Sequence, residues 1–237
     1  MYFRIGRRMQ LFGVCDTAIP IQKNYLYDEH QTIGCDSKKS HGPNSVISML
    51  HHYLKEWSCD VPNLVLHADN CCGQNKNKSV VAYFSWRMLR NCHQSLQYKF
   101  MTVGHTRSLV DGCFGLVKMK YRRQDNYTTQ HLVDAVNTSA VCNEPVTFPS
   151  WTWYEWDSFL SRYFRPIPNM TKVSSIKFHS DGTCTTNLGK FTLLKSVPVG
   201  MPNVLTPGGL SNERQSYLKE KVAPLMPLEY RDSISSS

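Results

Sequence analysis

The apolar positions of this chain change period as the sequence is read. Residues 8–15, around Leu11-Phe12-Gly13-Val14, and residues 23–30, around Tyr25-Leu26-Tyr27, read as extended runs. Ala18-Ile19-Pro20 supplies a turn between them, which predicts an antiparallel hairpin. Val46, Ile47, Leu50, Tyr53, Leu54 and Trp57 then recur at helical spacing over about four turns. Pro43 suits the first turn of that helix, and Asn44 or Ser40 is the expected cap. A short strand follows at 63–68, then a polar loop, then an amphipathic helix running from about Val80 to Arg90. A strand at 96–103 and a helix carrying Leu109, Val110, Cys113, Phe114, Leu116 and Val117 come next. That helix ends in Lys118, Lys120, Arg122 and Arg123, which suits the negative helix terminus. A further helix is predicted near 127–138.

From about residue 140 the pattern shortens. Trp151, Trp153 and Trp156 precede a short helix to Phe164, and extended runs appear around 176–179 and 191–194. Asp181-Gly182 marks a hairpin turn, and Pro207-Gly208-Gly209 breaks the chain before a last helix at 211–222. The tryptophans read as core residues rather than as a base-stacking platform. The predicted organisation is an α/β core over 1–138 and an appended, tryptophan-containing β-rich module over 139–237, ending in a helix and a disordered serine-rich tail.

Composition narrows the class of partner. With 41% hydrophobic and 19% charged residues the chain is a folded protein rather than a disordered one. No apolar run reaches membrane-spanning length. The net charge of +9 favours an anionic partner, nucleic acid first. Nine cysteines occur with no Cys-x-x-Cys pair, so the thiols read as reduced and the compartment as nuclear or cytoplasmic. A zinc site from His67, Cys71 and Cys72 lacks paired-ligand spacing.

The segment His67 to Ser79 concentrates the candidate chemistry. It lies where a strand passes into a helix, the position at which open α/β sheets gather ligands. A phosphate loop ending in Lys78-Ser79 fails, because Cys72 and Asn77 stand where glycines are required. Metal-dependent phosphoryl chemistry needs carboxylates at neighbouring strand ends, and oxygen ligands select magnesium or manganese. Asp69 supplies one carboxylate and Asp111, in the first turn after the next strand, supplies another. His105 is placed to orient a phosphate or move a proton. Lys76 and Lys78 carry the wrong sign for a helix N-terminus but the right sign for phosphate, and Gln74, Asn75 and Asn77 add hydrogen-bonding groups. Read singly, Asp69 is more often a turn or cap residue, Asp111 an acidic first-turn helix residue and His105 a structural histidine.

At these residues the chain resembles a group of transposon-derived domains whose hallmark is Ala-Asp-Asn-Cys-x-Gly-Gln-Asn-Lys-Asn followed by Gly-His-Thr-x-x-x-x-Asp-x-x-Phe-Gly. Here these are Ala68 to Asn77 and Gly104 to Gly115. The resemblance extends to Phe12-Gly13-Val14, the Asp28-Glu29 region, His41-Gly42-Pro43-Asn44 and Leu210 to Leu218. It implies a ribonuclease-H-like mixed sheet, similar to transposases and integrases, with two-metal cleavage or joining of DNA. In that fold three antiparallel strands come first, and the first of them is central. Only two strands fit before the helix at 43–57. The family's first acidic residue is expected upstream of Tyr2, and Asp16, Asp28 and Glu29 are poor substitutes by position. The resemblance therefore implies a sheet lacking its first strand and a DNA-binding domain with impaired catalysis, either an incomplete gene product or a retained remnant that binds nucleic acid or protein. An active nuclease or strand-transferase core, completed upstream, is the alternative.

Overall fold

The computed structural model describes residues 5–38, 41–58, 61–71, 74–101 and 108–234. The first half contains β1 (Met9–Asp16), β2 (Ile21–Asp28), α1 (Pro43–Glu56), β3 (Asn63–Ala68), α2 (Lys78–Leu89), β4 (Ser95–Phe100), α3 (Leu109–Tyr121) and α4 (Thr129–Asn137). The second half adds β5 (Asn143–Thr147), β6 (Trp153–Tyr154), α5 (Trp156–Tyr163), β7 (Ser175–Phe178), β8 (Thr183–Thr186), β9 (Gly189–Thr192), β10 (Val204–Leu205) and α6 (Asn212–Tyr217). The fold is mixed α/β. It divides into two compact units: Met1–Ser40, Arg107–Trp151 and Thr206–Ser237 in one, His41–Thr106 and Thr152–Leu205 in the other.

The first unit is built on a sheet of order β1-β2-β5. The predicted hairpin is present, in register from Met9 opposite Asp28 to Asp16 opposite Ile21. β5 is not legible in the sequence, because Pro145 interrupts it; it pairs parallel to β2 as an edge strand, where a missing N–H is tolerated. Leu26, Val117 and Val136 form a core between β2, α3 and α4. Gln22, Asn24 and Asn143 are also buried, and they are bonded to one another: Gln22 donates to Asn24 at 2.8 Å and Asn24 to Asn143 at 3.0 Å. Gly13 has no room for a Cβ, which would meet Phe114 of α3 at 2.7 Å. A second cluster, Leu210, Leu218, Ala223, Met226 and Ile234, organises the C-terminal segment, where α6 loosens into a π-helical turn at Leu218–Val222.

At the end of β2 two acids are wholly buried, Asp28 and Glu29. Asp28 pairs with Arg7 at 2.6 Å and His30 at 2.9 Å, and Glu29 with Arg214 at 2.9 Å. Burial pushes the Asp28 carboxyl up, but the hydrogen bond from His30 and the Arg7 charge outweigh it and hold it below the usual value. These acids are structural counter-ions. The Pro207-Gly208-Gly209 break is a docking point: Gly208 N donates to Thr32 O at 2.9 Å, and a Cβ on Gly208 would fall 2.2 Å from the Gly34 carbonyl carbon.

The second unit holds a sheet of order β3-β4-β7-β8-β9. β3 and β4 are parallel and joined through α2, while the remaining neighbours are antiparallel. The Asp181-Gly182 turn joins β7 to β8, with Gly182 at φ 78°. The boundary expected at 138 is not where the chain divides: β7 extends the β3–β4 sheet, and β5 joins the hairpin. Late strands satisfy the backbone edges of early ones, which a linear reading cannot foresee.

α2, expected to be amphipathic, is instead buried on nearly all sides from Ser79 to Met88, its polar Ser79, Ser85 and Arg87 included. Its buried Arg87 donates to His93 Nε2 at 3.0 Å and to the Tyr83 hydroxyl at 3.3 Å. α1 starts at Pro43 with Gly42 as its cap. Asn44, one of the expected caps, accepts a hydrogen bond from the Asp157 amide at 2.7 Å instead. Trp151, Trp153 and Trp156 are buried, as core residues rather than a stacking surface.

Candidate functional site

β3 ends at Ala68, whose carbonyl accepts from Met101 N at 2.9 Å, so the loop that follows starts beside the end of β4. Asp69 is exposed. Its Oδ1 accepts from Cys71 N at 3.0 Å and from the Asn75 side chain at 2.9 Å. The Asn70 side chain donates to Met101 O, and its Oδ1 accepts from Lys76 Nζ at 2.9 Å. Lys76 Nζ also donates to Thr171 O at 3.0 Å and lies 4.7 Å from the Phe100 ring centroid. At 6% exposure, Lys76 holds the loop against its own sheet.

The backbone of the loop is folded inward. Gln74 N, Asn75 N and Lys76 N all donate to Cys71 O, at 3.2, 2.9 and 2.9 Å. Asn77 caps α2, accepting from Ser79 N at 2.9 Å and Val80 N at 3.0 Å, and donates to Gln74 O at 2.7 Å. Asn75 O accepts from the Tyr98 hydroxyl at 2.9 Å. Burial, then the nearby Asp69 charge, raises the Tyr98 phenol, which stays protonated. The amides of Gln74, Asn75, Lys76, Ser79 and Val80 are thus occupied within the loop and its cap. Lys78 differs from Lys76, because it is exposed at the first residue of α2.

Asp111 belongs to the first unit and Asp69 to the second. Asp111 completes a capping box on α3: Ser108 Oγ accepts from Asp111 N at 3.2 Å, and the Asp111 carboxylate accepts from Ser108 N at 3.0 Å and Ser108 Oγ at 2.9 Å. His105 lies outside the described residues, as do Cys72 and Gly73. Among the described residues no three His, Cys, Asp or Glu side chains are grouped to hold a metal ion. The magnesium or manganese implied by the resemblance therefore lacks an assembled ligand set among the described residues. No helix among the described residues is long and apolar enough to cross a membrane.

Of the loop's anchors, Asn70 lies inside the Ala68 to Asn77 motif, whereas Tyr98 and Thr171 carry no signal in the sequence. They come from separate segments, and nothing periodic marks them. A second polar surface shows in the sequence only as a helix-end effect. Lys118, Arg122 and Arg123 are exposed at the end of α3, with Lys120 half-buried between the exposed Met119 and Tyr121. Among the described residues none of these four cations forms an ion pair.

Neither a curated protein nor a solved structure matches the chain. A family model does. It covers residues 27–192, from the end of β2 through the Asp69 loop and the Asp111 cap to the last residue of β9. That span is most of the 237 residues, so the chain belongs to the family described as domain of unknown function (DUF7869).

Proposed function

We propose that this chain is a transposon-derived, ribonuclease-H-related domain that binds nucleic acid, DNA in the first instance, and does not cut it. The observation that carries the reading is the basic end of α3. Lys118, Lys120, Arg122 and Arg123 fall within six consecutive residues, unpaired with acids among the described residues and interleaved with the exposed Met119 and Tyr121. Cations of this density meet phosphates, and an exposed tyrosine beside them offers a face to a base. Lys78 adds a further exposed cation in the second unit.

Descent from a ribonuclease-H-like fold is supported by the leading hairpin and by the parallel β3–β4 pair joined through α2. The local engagement of Asp69 and Asp111, each bound to the backbone of its own turn or cap, supports a domain that does not cut.

The test is fluorescence anisotropy with a labelled duplex over a salt series. The log of the affinity should fall linearly with log salt, and replacing the four α3 cations by Gln should flatten the slope by roughly 0.9 for each phosphate no longer neutralised. Affinity indifferent to salt overturns the reading. Magnesium-dependent nicking that disappears in Asp69→Ala overturns its non-catalytic part.

A further inference from the structure

Three cysteines of the first unit, far apart in sequence, meet beneath α3. Cys15 lies near the end of β1, Cys113 on the buried face of α3, and Cys142 in the turn that leads into β5. The sheet register brings them together. Cys15 is opposite Gln22, Gln22 is opposite Asn143, and Gln22 N donates to Cys142 O at 2.7 Å. Asn143 ties the row to the helix, because its side chain donates to Cys113 O at 3.1 Å and to Ser139 Oγ at 2.9 Å. The Cys113 and Cys142 sulfurs are 3.5 Å apart, and Cys15 lies near both, its thiol donating to Asp16 O at 3.7 Å.

We propose that Cys113 and Cys142 are a thiol pair that closes to a disulfide, pinning α3 to the entrance of β5, with Cys15 as an adjacent thiol able to reopen it. A disulfide needs the sulfurs at about 2.05 Å, so closure requires a shift of roughly 1.5 Å. The turn carrying Cys142 supplies that movement more readily than the helix carrying Cys113. The oxidant is a small-molecule disulfide. The Cys142 thiolate attacks it, forming a mixed disulfide and releasing one small thiol. The Cys113 thiolate then attacks the Cys142 sulfur, forming the protein bond and releasing the second small thiol. Two protein thiols thus lose two electrons and two protons, which the two released thiols carry away. Order of attack follows access: Cys113 is buried, and burial followed by its hydrogen bond with Cys142 pushes its thiol up to about 12, whereas Cys142 is only half-buried. In reopening, the Cys15 thiolate attacks the Cys113 sulfur and releases the Cys142 thiol, leaving a transient Cys15–Cys113 disulfide; two small thiols then reduce it in successive exchanges and leave as the small-molecule disulfide.

The test treats the folded chain with oxidised glutathione, blocks the remaining thiols with N-ethylmaleimide and maps peptides by mass spectrometry without reduction. The expected product is a peptide pair joined through Cys113 and Cys142, lighter by two hydrogens. Its yield should fall at least tenfold in Cys142→Ser and persist in Cys15→Ser. The thermal midpoint of the wild-type chain should rise on oxidation and return with dithiothreitol, and this rise should be absent in Cys142→Ser. Full alkylation of Cys113 and Cys142 after oxidation overturns the proposal. So does a dominant Cys15–Cys113 link.

Discussion

Lys76 Nζ donates to Asn70 Oδ1 at 2.9 Å, joining the two ends of the loop that carries most of the candidate chemistry. Two neighbouring lysines of like sequence context thereby have unlike roles. Lys76 is buried against Phe100 and Thr171, and Lys78 is exposed on α2. Lys76→Ala should cost about 2–3 kcal/mol, because Asn70 and Thr171 lose a charged donor. Lys78→Gln should change stability by less than about 0.5 kcal/mol and weaken DNA binding. Urea denaturation and salt-dependent anisotropy on both variants separate the two roles; equal effects on affinity contradict the assignment.

Glu29 and Arg214 join the end of β2 to α6 across 185 positions of sequence. Glu29 is fully buried, so removing Arg214 strands its charge. Arg214→Ala should destabilise by about 3–5 kcal/mol, and Arg214→Met with Glu29→Met should recover part of the loss. A double variant no more stable than Arg214→Ala, by chemical denaturation, refutes the stranded-charge account.

His51 sits among the rings of Tyr83, Trp86, Tyr154 and Trp156, and burial, with the Arg87 charge second, lowers its pKa to about 4. The unfolded chain, with an ordinary value near 6.5, binds the proton first. The stability gained from neutral His51 is complete above about pH 6.5 and is lost as pH falls toward about 4. A decline of about 1–3 kcal/mol across that window should appear in denaturation midpoints, allowing for partial solvent screening. His51→Phe should flatten it. A curve unchanged by that substitution assigns the pH dependence to other groups.

Gly208→Ala places a methyl carbon against the backbone of Gly34 and Cys35, at 2.2 and 2.4 Å. Backbone cannot rotate away as a side chain can, so the Thr32–Gly208 hydrogen bond must stretch or break. A loss of about 2–3 kcal/mol is expected, with faster hydrogen exchange at the Gly208 amide. Wild-type stability in this variant contradicts the close approach.

Ser108 and Asp111 cap α3 reciprocally. Ser108→Ala should cost about 1 kcal/mol of stability, and Asp111→Asn no more, with DNA affinity within twofold of wild type for both. A tenfold loss of affinity in Asp111→Asn, with stability intact, would place that carboxylate at the nucleic acid instead.

Local signals in the sequence determined much of this protein. The hairpin, α1, β3, α2 and the Asp181-Gly182 turn all follow from period, turn chemistry and proline placement, and those forces act within a few residues. The acid at the end of β3 and the exposed cations at the end of α3 were equally visible, because position along an element dictates them. Tertiary structure decided the remainder. It set β5 beside β2 and β7 beside β4, since an open edge takes whichever strand satisfies its hydrogen bonds, early or late. It also turned Lys76 inward and left Lys78 exposed, turned Asp28 and Glu29 into buried counter-ions, and gathered Cys15, Cys113 and Cys142. Nothing local distinguishes those residues. Their roles come from acceptors, charges and sulfurs supplied by segments tens to hundreds of positions away.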